Sequence, residues 1–216
     1  MRIRTLTNTF VNYQYKETRD YDIIKDRFLR NTTIALDFLV KTSSLTIRFI
    51  DNGVPKTIDI IDVLVEDKEN NITIVPGQKN AYSPSHNTVL FFDTHGIVFR
   101  KNHKKRWFRK NKGYNSPVSL LSHELIHCYN DIFDPEDYYK RKKNHTSKGE
   151  KIDADGHDLS FPNVEEVFVI KMANQVAKRL GEDKRSNYGK SYYPTRGVLT
   201  TKRAKKIVEN NFKIKI

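Results

Sequence analysis

Two segments with helical periodicity, residues 116–133 and 163–181, constrain the fold of this chain more than any other feature. In the first, Ser116 is a fair N-cap, Pro117 suits the first helical position, and apolar residues recur on one face. In the second, Asn163 precedes an apolar stripe with helical spacing, as an N-cap residue does. The sequence therefore predicts two amphipathic helices, separated by a long polar stretch.

Short apolar segments before the first of these helices predict a small, mostly antiparallel sheet. Residues 45–50 alternate in hydropathy, residues 71–77 are β-branched and end at Pro-Gly, and residues 87–101 predict a hairpin. Residues 34–42 have the spacing of a short helix, while residues 58–66 fit either a strand or a helix. A set of strands followed by a set of helices predicts an α+β fold.

The polarity of the chain divides it into three predicted parts. Residues 1–32 are polar and charged with weak periodicity, and we expect them to form a partly ordered N-terminal lead-in. Residues 33–193 hold the predicted strands and helices and are expected to form one domain. Residues 194–216 are expected to form a basic C-terminal tail, and the polar residues 134–163 are expected to form a long excursion within the domain.

Charge and cysteine content limit the classes of protein that fit. The formal net charge of +13 predicts a basic surface, which either contacts an acidic partner or is only a lysine-rich solvated surface. The single cysteine, Cys128, excludes an intramolecular disulfide. The N-terminus lacks the features of a Sec signal peptide, and no stretch reaches the roughly 18 apolar residues of a membrane span. Export by a route that reads an unstructured N-terminus stays open.

The first predicted helix contains the sequence HELIH, residues 123–127. His123 and His127 are one turn apart on one face, so their imidazole nitrogens are placed to bind one zinc ion. Glu124 projects beside the first histidine, where it can act as a general base on a water molecule at the open coordination position. This is the pattern of H-E-x-x-H metalloproteases. The alternative is a helix with one buried and one exposed histidine.

A catalytic zinc site needs a third protein ligand, which we expect on the second helix. Glu165 and Glu166 open that helix, and steps of about 100° per residue put Glu166 near the middle of the inward apolar stripe and Glu165 near its edge. We therefore predict one catalytic Zn²⁺ ion, bound by His123, His127 and Glu166.

Other assignments of the third ligand stay open. Asn163-x-x-Glu166 also fits a capping box, in which the glutamate contacts the start of its own helix. Glu165 is the next candidate for the third ligand. Asp155 and His157, in the polar stretch, are outside candidates.

Two residues that follow the second helix, Arg185 and Tyr188, have the chemistry to stabilise an oxyanion opposite a metal ion. Tyr192 and Tyr193 are weaker candidates for the same role. The alternative is that Arg185 is exposed to solvent and Tyr188 only packs.

These motifs resemble those of two groups of zinc proteases. The HELIH sequence with a downstream Glu-Glu pair resembles the zinc motif of clostridial neurotoxin light chains, which are far longer. Over residues 33–193 the chain is more similar to the NleD-like effector proteases of bacterial type III secretion. The matching residues are Ser119-Leu120 before His123–His127, then Glu165-Glu166, Asn174, Leu180-Gly181, and the R-x-x-Y pair of Arg185 and Tyr188.

The resemblance implies a compact, zincin-like single domain with the H-E-x-x-H helix and a following glutamate-bearing helix. It implies a zinc metalloendopeptidase that a bacterium secretes and that acts in the host cytoplasm on a host protein, of which mitogen-activated kinases are the best-known examples. Arg185 and Tyr188 become expected catalytic residues under this resemblance. We expect a monomer. The chain departs from the family in residues 100–112, in its polar excursion and in its C-terminal tail.

Other functions remain open at this stage. Residues 106–109, Arg-Trp-Phe-Arg, interleave aromatic and cationic side chains as single-strand nucleic-acid binders do, although no nucleic-acid motif accompanies them. A non-catalytic zinc-binding adaptor is a further alternative. If the chain is a protease, the basic residues 100–112 either dock an acidic substrate surface or form a solvated loop, and a substrate strand is expected to pair with a free edge of the 87–101 hairpin.

Overall fold

The computed structural model describes residues 1–16, 18–51, 53–102, 104–105, 108–147, 151–154 and 156–201. The helices are α1 (Arg27–Thr42), α2 (Ile60–Glu66), α3 (Pro117–Phe133), α4 (Pro135–Lys143) and α5 (Val164–Arg179). The strands are β1 (Arg2–Arg4), β2 (Phe10–Asn12), β3 (Thr46–Asp51), β4 (Val54–Asp59), β5 (Thr73–Pro76), β6 (Ala81–Ser83), β7 (Thr88–Phe91), β8 (His95–Arg100), β9 (Lys112–Asn115) and β10 (Ser191–Pro194). The α+β class is therefore confirmed.

The largest sheet is mixed, with the strand order β2-β1-β5-β7-β6. The pairs β1–β5 and β5–β7 are parallel, whereas β1–β2 and β6–β7 are antiparallel. A second sheet, in the order β10-β8-β9, is antiparallel, and β3 pairs with β4 in a separate antiparallel ribbon. The expectation of a mostly antiparallel sheet is thus wrong for the largest sheet, whose centre is parallel.

The hairpin predicted for residues 87–101 is also wrong. Its two strands, β7 and β8, form in the predicted places but belong to different sheets. Val89 and Phe91 of β7 pack into the main core, while Ile97 and Phe99 of β8 pack with Leu120 in a smaller cluster. Alternating hydropathy locates a strand but does not identify its partner, so two consecutive apolar strands were assigned to each other.

The N-terminal lead-in contains structure that the sequence did not predict. Strand β1 lies inside the largest sheet, and Ile3 is 1% exposed in the core. Helix α1 starts at Arg27, where the side chain of Asp26 accepts a hydrogen bond of 2.8 Å from Leu29 N. The strand was missed because a three-residue strand flanked by arginines has almost no periodicity, and its parallel partner β5 lies about 70 residues away.

Helix α4 corrects the interpretation of residues 134–163 as an irregular excursion. Tyr138 is the only buried residue among its nine, so the sequence has no apolar stripe that would predict this helix. The ambiguous residues 58–66 divide at Asp59, which ends β4 and caps α2 by accepting a hydrogen bond of 3.0 Å from Ile61 N.

Helix α3 runs through the core, and every residue from Pro117 to Cys128 is buried. It packs against α5, α4 and α2 and against strands β6 and β7. Val198 and Leu199 also belong to the core, and Val118 N donates a hydrogen bond of 3.0 Å to Val198 O, so the start of the predicted tail packs beneath α3. Residues 202–216 of the predicted tail lie outside the described residues.

Candidate metal centre

The two histidines of HELIH face the same buried space from adjacent turns of α3. His123 and His127 are 5% and 7% exposed, and their Nε2 atoms are 3.2 Å apart. The alternative of one buried and one exposed histidine is therefore wrong.

The start of α3 is held by Glu182, whose carboxylate accepts hydrogen bonds from Ser116 N at 3.1 Å and from the Ser119 hydroxyl at 2.7 Å.

Glu166 of α5 lies opposite this histidine pair. Its Oε2 is 3.1 Å from His123 Nε2, and its Oε1 is 3.4 Å from His127 Nε2. One ligand atom from each of the three residues lies within 4.8 Å of the others. Burial alone would raise the pKa of the Glu166 carboxyl, but its contacts with the two imidazoles outweigh that effect and hold the pKa well below its usual range.

Of the capping box proposed for Asn163 and Glu166, the structure contains only the bond to the backbone of Glu166. Asn163 is the N-cap of α5, and its side-chain oxygen accepts a hydrogen bond of 3.0 Å from Glu166 N. The carboxylate of Glu166 meets the histidines of α3 instead of the start of its own helix.

Glu165, the neighbouring residue, supports the site from behind His127. It is 1% exposed, and its Oε1 lies 3.3 Å from His127 Nδ1. The same carboxylate accepts hydrogen bonds from Asn130 Nδ2 at 2.8 Å and from Arg141 Nε at 2.5 Å. Glu165 occupies the Nδ1 side of His127, as the carboxylate does in carboxylate–histidine–metal arrangements, and Nε2 of the same ring faces Glu166 and His123.

The donor set fits a metal ion. Two imidazole Nε2 atoms and a carboxylate are the ligand types that zinc takes in catalytic sites. Burial lowers the pKa of His123, which favours the neutral imidazole that binds a metal. At His127 burial is outweighed by the hydrogen bonds with Glu165 and Glu166, which raise the pKa to about 9, so a metal ion would displace a proton there. Glu166 Oε2 is buried and lacks a contact with hydrogen-bond geometry, so it has an acceptor lone pair to offer.

Glu124 and Tyr188 line a cavity of about 150 Å³ next to the three candidate ligands. Glu124 is 6% exposed. Burial, together with the charges of Glu166 and Glu124, raises the pKa of Tyr188 to about 12, so its hydroxyl stays protonated at neutral pH. Tyr82, Tyr138, Lys142 and Lys190 are also in the lining.

Arg185 lies one layer behind this cavity and is 7% exposed, so the solvent-exposed alternative is wrong. Its guanidinium donates a hydrogen bond of 3.2 Å to the carbonyl of Tyr188. The side-chain amide of Asn174 makes two hydrogen bonds to the backbone of Arg185: its oxygen accepts one of 2.8 Å from Arg185 N, and its nitrogen donates one of 2.9 Å to Arg185 O. Arg185 shares a smaller pocket with His123, so it borders the metal ligands without lining the larger cavity.

The other candidates from the sequence lie elsewhere. His157 is exposed, and its Nδ1 contacts Asp153 at 3.3 Å; Asp155 lies outside the described residues. Tyr192 accepts a hydrogen bond of 3.2 Å from Asn80 N. Tyr193 is buried and packs edge-on against Tyr114, and neither tyrosine lines the cavity.

Four residues around the site were missed from the sequence: Asn130, Arg141, Lys142 and Lys190. Asn130 carried a signal, because it lies three residues after His127 on α3 and so shares its face. The other three come from α4 and from the segment after α5, for which periodicity gave no indication.

The basic residues 100–112 are only partly described. Arg106 and Trp107 lie outside the described residues, and Phe108 is 67% exposed. Arg100 is buried and forms an ion pair of 3.3 Å with Asp153, while Lys101 pairs with Asp183 at 2.7 Å. The start of this run is therefore anchored to the domain and is not a freely solvated loop.

Comparison of the chain with protein-family models, with curated proteins and with solved structures finds no match. Among the described residues, no helix combines the length and the apolar character needed to cross a membrane.

Proposed function

We propose that this protein is a zinc-dependent endopeptidase with a zincin-like active site. The observation that carries the proposal is the convergence of His123, His127 and Glu166 beside a cavity that Glu124 also lines. A bound zinc ion would supply Lewis-acid activation of water and of the substrate carbonyl.

The protein side chains would then perform the proton transfers. Glu124 accepts the proton of the attacking water and returns it to the leaving nitrogen of the peptide. The Tyr188 hydroxyl, protonated at neutral pH, donates a hydrogen bond to the oxyanion. Arg185 holds the Tyr188 backbone through its carbonyl, and its buried positive charge adds to the stabilisation of the oxyanion.

The substrate would bind along β6. This strand is at the edge of the largest sheet, and its residues Ala81 and Tyr82 line the cavity together with Asn80. An extended peptide can pair with a free sheet edge through its backbone. The edge expected from residues 87–101 does not serve this role, because β7 and β8 are both interior strands of their sheets.

The biological setting belongs to the same proposal. The resemblance of the motifs to NleD-like proteases supports a bacterial effector that cuts a host cytoplasmic protein such as a mitogen-activated kinase. The exposed lysines of the basic run, Lys104, Lys105 and Lys110, would dock an acidic surface of that substrate.

The test uses the purified full-length protein, with metal content measured by mass spectrometry and cleavage measured by terminal proteomics of a host-cell lysate. Wild type should contain one zinc ion per chain and generate new protein termini. Glu124→Gln should keep the zinc and lose cleavage by about 10² to 10⁴-fold. Glu69→Gln, at an exposed position, is the matched control.

The outcomes separate the alternatives. Stoichiometric zinc without new termini from wild type would favour the non-catalytic adaptor. Steeply salt-dependent binding to oligonucleotides without cleavage would favour the nucleic-acid module. Equal cleavage by wild type and Glu124→Gln would show that Glu124 is not the base.

A further inference from the structure

Two lysines in the cavity have no part in the proposed reaction. Lys142 comes from α4, and Lys190 lies between Tyr188 and β10; both line the same space as Glu124. An ammonium group beside a reaction centre either supports the structure through an ion pair or can bind an anionic group of a ligand. The contacts of each lysine distinguish these cases.

Lys190 forms no ion pair with any described residue. Its Nζ lies 5.3 Å from the centre of the Tyr188 ring, over the face of the tyrosine that lines the cavity. Burial and the nearby charge of Arg185 lower the pKa of Lys190, while Glu124 and Glu166 oppose that shift. A largely buried cation without a paired carboxylate is costly, and a ligand carboxylate would remove that cost.

Lys142 repeats the arrangement on α4. Its Nζ donates a hydrogen bond of 2.8 Å to the Tyr138 hydroxyl and lies 4.9 Å from the centre of that ring. Lys142 is exposed whereas Lys190 is partly buried, so the charge of Lys142 is better solvated. It therefore adds a second, weaker attraction for an anion in the same cavity.

The carboxylates of the cavity are already engaged. Glu165 is bound by Arg141 and Asn130, and Glu166 contacts the two histidines. Glu124, in contrast, has no such partner among the described residues, and the proposed reaction needs it as a base. With a divalent ion bound, positive charge would therefore be in excess in the part of the cavity that a substrate enters.

We propose that the cavity accepts a peptide with a glutamate or aspartate next to the scissile bond, and that Lys190 is the residue that determines this specificity. The ammonium group of Lys190 lies over the Tyr188 ring, and Lys190 lines the same cavity as Glu124, so a peptide bound there would pass close to Lys190. The inference rests on the proposed endopeptidase function.

The test digests a library of proteome-derived peptides with the zinc-loaded full-length protein and reads the residues on each side of every cut. Wild type should favour Glu and Asp at one flanking position, by roughly tenfold in kcat/KM over Gln in matched synthetic peptides, which is the effect of about 1.4 kcal/mol. Lys190→Met should bring the Glu/Gln ratio to about 1. Lys190→Glu should shift the preference to Lys and Arg.

Lys171→Met is the control, because Lys171 is exposed on α5 and does not line the cavity. It should keep the acidic preference of wild type. Circular dichroism and zinc content should match among all the variants, so that a change of preference reports on recognition.

Three results would overturn the inference. Cleavage without an acidic preference, or a preference that survives in Lys190→Glu, would exclude Lys190 as the specificity residue and leave the endopeptidase proposal intact. A strong preference for phosphoserine over Glu would replace the carboxylate with a phosphate. Absence of all peptide cleavage by wild type would remove the endopeptidase function, and this inference with it.

Discussion

Two of the walls of the cavity are built from different kinds of structure. One, the helical wall, consists of His123, Glu124 and His127 on α3 and Glu166 on α5. The other, the loop wall, consists of Tyr188 and Lys190, in the irregular segment between α5 and β10. Side chains of the helical wall are fixed by two packed helices, whereas the loop wall depends on a few hydrogen bonds to its backbone. Under the proposed function, the helical wall would bind the metal and supply the base, and the loop wall would contact the substrate.

The largest effect is expected from His123→Ala, which tests whether the helical wall binds the metal. Loss of one of three ligands should abolish both zinc binding and cleavage, and it leaves Glu166 facing a single imidazole. Zinc content and peptide cleavage measure the two effects. His157→Ala should change neither, and zinc retained at full affinity in His123→Ala would break the assignment.

The next effect tests the loop wall. Tyr188→Phe removes only a hydroxyl and should lower kcat by about 10²-fold while zinc content stays at the wild-type level, as expected for an oxyanion donor. Arg185→Ala should reduce kcat by a similar factor. Tyr139→Phe, an exposed tyrosine on α4, is the control. A loss of zinc in Tyr188→Phe would mean that the two walls are not independent.

A smaller effect is expected behind the helical wall. Glu165→Gln weakens the contact with His127 Nδ1 and should reduce zinc affinity by about 10 to 100-fold without abolishing binding. Competition with a zinc chelator measures the affinity, and Glu136→Gln on the exposed side of α4 is the control. An effect as severe as that of Glu166→Gln would mean that Glu165 is itself a ligand.

The smallest effect is a pH dependence of stability at the start of α3. Burial raises the pKa of Glu182 from its ordinary value of 4.5 to about 7, although Ser116 and Ser119 donate hydrogen bonds to the carboxylate. Between these values the folded protein keeps a proton on Glu182 that the unfolded chain has lost. The contribution of Glu182 to the free energy of unfolding is therefore present at low pH and is lost as pH rises through 7.

The variant Glu182→Gln resembles the protonated form at every pH. Its melting temperature should therefore match that of wild type near pH 5 and exceed it near pH 8.5. Thermal unfolding at the two pH values measures the difference. An identical pH slope in the two proteins would contradict the raised pKa.

The contrast between the walls also explains what the sequence predicted. Periodicity and caps placed α3 and α5, and the 100° step between Glu165 and Glu166 separated the residue that meets both histidines from the one that supports His127. These are local properties, so a single sequence contains them. The class of fold followed from the same patterns.

What the sequence did not predict depends on contacts between distant segments. The pairing of β1 with β5, the pairing of β8 with β10 instead of β7, and the contact of Arg141 with Glu165 each join residues far apart in the chain. Lys190 carries no pattern that marks it as a cavity residue. Such features are decided by which surfaces pack together, and a periodicity argument contains no information about that choice.

The cap at Asn163 has a consequence beyond the start of α5. By fixing where the first turn begins, its bond to Glu166 N also fixes the rotational phase of the helix. A shift of one residue would turn the helix by about 100° and carry Glu165 toward the place that Glu166 now occupies. Asn163 thus helps to set which of two neighbouring glutamates meets the Nε2 atoms of both histidines, although its own side-chain bond is to the backbone of α5.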